Sequence, residues 1–200
     1  MSRPATRTSS AGASSRVVWV TLAVWLAVAL FVSASGEVAA LEPPWPQVVL
    51  LTLTTTTLLA GRFWQPVRDW ARMVDVRVLV GLHLCRFVGL YFIRLAARGG
   101  LPESFAMPAG VGDAAVATSA AVLLLTGFPE TPRLRSAYLV WNVIGLVDIG
   151  FVVASAARHG LVDPASMRAL LVLPLALLPT FIVPLVIATH VLVFVRLRRR

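Results

Sequence analysis

The chain has 200 residues, 58% of them hydrophobic and 14% charged, with a formal net charge of +9. A soluble domain is roughly half apolar and about a quarter charged, so this composition excludes an ordinary water-soluble fold and points to an all-α polytopic membrane protein. All 18 basic residues are arginine, which removes chemistry that needs a lysine, from retinal and pyridoxal Schiff bases to the phosphate-loop lysine of nucleotide hydrolases. The single cysteine, Cys85, excludes an internal disulfide and any CxxC redox or zinc pair.

Residues 1–15, rich in Ser, Thr, Ala and Gly, are expected to form a disordered cytoplasmic tail. Apolar runs then recur between charged residues and predict a single six-helix transmembrane domain over 16–200, with spans at about 17–36, 45–62, 77–97, 110–129, 136–157 and 169–195. The first run also admits a secretory signal cleaved after Ala34, which would leave five spans. Pro43, Pro44 and Pro46 predict a stiff turn before the second span. The threonines at 52 and 54–57 are expected to bond backbone within a packed helix. Pro66 can open a short helix whose Val67, Trp70, Met73 and Val74 share one face, as in an element lying flat in the interface. With the N-terminus inside, thirteen arginines fall on the cytoplasmic side and four (Arg94, Arg98, Arg158 and Arg168) on the other, so both termini are expected to be cytoplasmic.

Charges inside the spans carry the functional expectation, because each costs about 2.5–3.5 kcal/mol at bilayer centre even on insertion scales. Arg86 lies nine residues beyond Arg77 and Asp148 thirteen beyond Arg135. At 1.5 Å rise per residue the two reach similar depth, which predicts a buried Arg86–Asp148 pair. His83, Arg86 and Gly89 repeat at i, i+3 and i+6, as do Asn142, Gly145 and Asp148, so each trio shares roughly one helix face. Glycines there allow close helix approach and polar neighbours bond across it. Pro174, Pro179 and Pro184 must kink or break the last span, which ends in His190 and the terminal arginines. The Pro- and Gly-punctuated stretch from Leu101 to Asp113 is expected to enter the fourth span irregularly, with Asp113 as N-cap or as a ligand contact at the outer mouth. His83 and His190 are the minimum set for bis-histidine ligation of a b-type haem, although their counted depths differ by several ångströms.

At these residues, in the pattern LPxxFAxPAGxGD over 101–113 and WNxxGLxD over 141–148, with His83 to Gly89 before and Pro174 to His190 after, the chain resembles a functionally uncharacterised family of small bacterial multi-span membrane proteins. The likeness covers about 80–195, implies a bacterial inner-membrane location, and implies no activity. No HExxH, GxSxG or phosphate loop is present, and the dispersed arginines do not make a nucleic-acid surface. The expected protein is therefore a multi-pass membrane protein with a transport-like site for a small ligand, ion or proton between the third, fifth and sixth spans, built from His83, Arg86, Asn142, Asp148 and His190. A haem-carrying redox subunit and a structural accessory subunit are the alternatives. The expected partners are the lipid bilayer and either further copies of the chain or a larger membrane complex.

Overall fold

The computed structural model describes residues 7–198, with side chains from 12 onward. Every element within them is helical: α1 (Arg7–Ala34), α2 (Trp45–Phe63), α3 (Gln65–Met73), α4 (Val76–Leu82), a 3-10 turn (His83–Val88), α5 (Gly89–Ala96), α6 (Glu103–Thr126), α7 (Pro132–Val162), a second 3-10 turn (Ala165–Leu171), a π turn (Leu178–Ile182) and α8 (Val183–Arg198). Among the described residues five helices are long and apolar enough to cross a membrane: Gly12–Ala34, Val76–Ala96, Glu103–Thr126, Pro132–Val162 and Leu178–Arg198. They keep large apolar side chains outward, with Leu125, Val162 and Phe31 at 88%, 81% and 74% exposure, the arrangement expected of a bundle immersed in lipid.

The expected second span forms α2 at the expected place and, at 19 residues, has the length of a span. It is not among the five because Gln47, Arg62 and the threonine run dilute its apolar character. Thr57 hydroxyl donates to the Leu53 carbonyl at 2.7 Å, as expected of the threonine run, whereas the buried Thr54 hydroxyl has no hydrogen-bond partner among the described residues. Of the residues expected in a disordered tail, 7–15 are helical and continue into α1, while residues 1–6 lie outside the described residues.

Two other expectations are corrected. The fourth helix starts at Glu103, not near 110, and runs without interruption through Pro108, Gly110 and Gly112. Pro108 forfeits only its bond to the Ser104 carbonyl near the helix start, and the two glycines serve close packing. A Cβ on Gly110 would stand 2.7 Å from Ile93 Cγ1 of α5, and one on Gly112 would collide with the Asp148 carboxylate of α7. The helix ends where Gly127 takes φ +108°, a conformation costly for residues with a Cβ. The last span is shorter than 169–195, because the prolines break its first part into the second 3-10 turn, an irregular link and the π turn. Pro184 has no N–H for the Thr180 carbonyl, which instead accepts from Trp25 Nε1 of α1 at 2.9 Å.

Side-chain bonds gather helix ends at an arginine-rich end of the bundle. Arg77 donates to the Leu124 carbonyl at 2.8 Å, Arg196 to the Ala71 carbonyl at 3.0 Å, and Arg135 to the Leu197 carbonyl. One apolar core, including Val76, Leu79, Tyr138, Trp141 and Leu197, fills this end. A second, including Phe92, Phe105, Ile149, Met167 and Leu178, fills the opposite end. The polar side chains that cost most to bury lie between them.

Candidate functional site

The 3-10 turn from His83 to Val88 positions the first half of the site. With three residues per turn, His83, Arg86 and Gly89 line up on one face more strictly than an α-helix would align them. Gly89 then brings this face onto α6, since a Cβ there would lie 2.6 Å from Asp113 Cβ and 2.7 Å from the Gly110 carbonyl oxygen. The Arg86 side chain, 3% exposed, enters the contact between α6 and α7. Its Nε donates to Asp113 Oδ1 at 2.6 Å, its Nη1 to the Gly145 carbonyl at 2.9 Å, and its Nη2 to Asp148 Oδ2. The Arg86–Asp148 pair expected from depth is present in this geometry, and Asp113 makes it a triad.

That placement corrects the expectation for Asp113. It neither caps a helix nor lies at a mouth; it sits well inside α6 and is 3% exposed. The triad has one positive and two negative groups, so its fully ionised charge is +1 − 1 − 1 = −1. A net charge inside an apolar bundle is expensive, and one proton or one monovalent cation would neutralise it.

His83, Asn142 and His190 are each fully buried beside the triad. Asn142 Nδ2 donates to the His190 carbonyl at 3.0 Å, which orients the amide and leaves its Oδ1 to accept from His190 Nδ1 at 2.9 Å. The Thr189 hydroxyl donates to the Val186 carbonyl at 2.9 Å, so its oxygen accepts from His83 Nε2 at 3.1 Å. His83 therefore carries its proton on Nε2 and His190 on Nδ1. The other nitrogens, His83 Nδ1 and His190 Nε2, have no hydrogen-bond partner among the described residues. The two rings touch at 4.2 Å between centroids, with the Trp141 indole 5.0 Å from His83 and 5.6 Å from His190. Gly145 is the seat of this contact: a Cβ there would lie 2.6 Å from His190 Cε1.

This contact does not suit a haem. Bis-histidine ligation sets iron and a macrocycle between two imidazoles, whereas these rings pack directly on each other at an interplanar angle of 50°. Among the described residues no group of three or more His, Cys, Asp or Glu is arranged to hold a metal ion.

A cavity of about 700 Å³ opens against the triad. Exposed Glu42 and Arg168 stand at its rim, and buried Arg86 and Asp113 line it from within the bundle. Phe92, Phe105, Ile149, Val152, Val183 and Val186 supply apolar wall between them. The volume lies within the roughly 300–1,000 Å³ typical of small-molecule sites.

All five residues expected at the site meet between the His83–Val88 turn, α6, α7 and α8. Sequence reading missed Asp113 as a member, and with it Thr189, Trp141 and Gly112. The signal for Asp113 was its standing as the one charge in an otherwise uncharged run from 104 to 129.

A model of the family described as Domain of unknown function (DUF8737) matches residues 43–198. The chain belongs to that family. The match takes in every residue of the triad and the histidine pair and reaches further toward the N-terminus than the expected 80–195, including α2 and α3. Helix α1 precedes it. No curated protein and no solved structure matches the chain.

Proposed function

We propose that this DUF8737 member is a six-span protein of the bacterial inner membrane, with α2 as the sixth span and both termini cytoplasmic, that handles a proton or monovalent cation together with a small ligand. The arginine bias supports the orientation, thirteen against four. For α2, the support is its 19-residue length and its packing beside α8. The observation that carries the function is the triad: one buried guanidinium against two carboxylates, short of one positive charge, with Arg86 and Asp113 lining the inner end of a 700 Å³ cavity and Asp148 beside them. A group held only to fix helix packing needs charge balance, and a single carboxylate would supply it. A second carboxylate creates a place for a mobile positive charge.

Arg86 holds the carboxylates apart and in register; Asp113 and Asp148 are the groups that exchange the charge. Asn142 fixes His190 beside them, and the two unpaired imidazole nitrogens offer acceptors for a proton moving along the same contact.

Infrared spectroscopy of the protein in lipid, in buffer free of sodium and potassium, tests this reading. One buried carboxylic acid band is expected, absent from Asp113→Asn or Asp148→Asn. A spectrum with no carboxylic acid band, or one unchanged in both variants, overturns it.

A further inference from the structure

We propose that the cavity takes a hydrophobic monocation and releases one proton in exchange. This rests on the proton-handling reading above and names the class of ligand that the same site would bind. Three observations carry it. The cavity walls are apolar, so the body of the ligand is apolar. The buried end carries a formal −1, so an anionic ligand would raise the enclosed charge to −2, a neutral one would leave it at −1, and a monocation brings it to zero. The positive charge of Arg86 is already met by two carboxylates, since its Nε and Nη2 donate to Asp113 and Asp148 and its Nη1 to the Gly145 carbonyl, so no net positive charge is left to recruit an anion. At the rim, Glu42 and Arg168 have opposite signs and leave this preference unchanged.

The exchange balances. With the cavity empty of ligand, one carboxyl of the triad holds a proton; when the cation enters, that O–H bond breaks, the carboxylate pairs with the cation, and the proton leaves to solvent. No electron moves and no other bond changes.

Isothermal titration of the full-length protein in detergent, in two buffers of different ionisation enthalpy, counts the protons. Tetraphenylphosphonium is the probe and tetraphenylborate, of the same shape and opposite charge, its control. The phosphonium is expected to bind with one proton released, and the borate to bind more weakly by about tenfold or more. Asp113→Asn and Asp148→Asn are expected to abolish the proton release. Gly150 lines the cavity and a Cβ there would meet nothing within 4 Å, so Gly150→Phe introduces a ring at the cavity wall without a clash at Cβ and is expected to remove phosphonium binding. Ala157→Phe, on the same wall, serves if that variant does not elute as a folded monodisperse species.

Equal binding of the two ions, preference for the borate, phosphonium binding without proton release, or binding that survives both filling variants overturns the proposal. If the infrared acid band is present while the titration fails, only the ligand class is wrong. If the band is absent, the underlying reading fails first.

Discussion

Replacing Gly89 by alanine tests whether close backbone approach assembles the triad. The new Cβ would lie 2.6 Å from Asp113 Cβ, 2.7 Å from the Gly110 carbonyl oxygen and 3.0 Å from Gly110 Cα. Optimal carbon contacts are about 3.5–4.0 Å, so α5 and α6 must separate by about 1 Å. Two of the three obstacles are backbone and the third is a Cβ, none of which a rotamer change can move, so the cost belongs at the upper end of overpacking, about 3 kcal/mol. Alanine recovers at most about 1 kcal/mol of helix propensity, leaving a net loss of about 2 kcal/mol. The same displacement stretches the Arg86–Asp113 bond, which is 2.6 Å in the native contact. Reversible unfolding in mixed detergent micelles measures the difference, with Gly150→Ala as control because its Cβ would meet nothing within 4 Å. A Gly89→Ala protein as stable as Gly150→Ala would refute the argument that this contact holds the site together.

The triad changes what a double replacement can rescue. Arg86→Gln leaves the buried Asp113 and the partly buried Asp148 carboxylates without their cation and is expected to be the most damaging single change, at about 3 kcal/mol, while Asp148→Asn leaves a balanced Arg86–Asp113 pair and is milder. Arg86→Gln/Asp148→Asn still strands Asp113, so thermal unfolding should recover only in the triple variant that adds Asp113→Asn; additive losses across the series would sink the coupling. For the histidines, ¹⁵N NMR of histidine-labelled protein is expected to find opposite tautomers in the neutral rings, Nε2–H for His83 and Nδ1–H for His190. Asn142→Leu should remove only the latter preference, and identical tautomers in both rings contradict the assigned bonds.

The depth of the charged residues was legible only coarsely. The third span was expected over 77–97 and occupies Val76–Ala96, and Arg86 meets Asp148 as expected, although nine and thirteen residues leave their counted depths about 6 Å apart, a gap that the longer rise of the 3-10 turn holding Arg86 narrows. His83 and His190 were expected several ångströms apart in depth, yet their rings touch. His83 stands six residues beyond Arg77 along α4 and His190 six before Arg196 along α8, so a regular rise brings them to equal depth. The irregular segments, the 3-10 turn that His83 opens and the π turn among Pro174, Pro179 and Pro184, lie on the far side of both histidines.

Asp113 was misplaced for a related reason. Proline and glycine between Leu101 and Asp113 read locally as an interrupted backbone, and only tertiary packing shows that Gly110 and Gly112 are small because Ile93 and Asp148 approach them. Local composition reports backbone freedom, whereas a membrane bundle also selects small residues for contact distance. That second use separates the two readings of the chain. A helix interrupted near 110 would leave a lone Arg86–Asp148 pair, neutral and sufficient for packing. A continuous α6 carries Asp113 to the same guanidinium, and that extra negative charge is the feature on which the proposed cation-handling role rests.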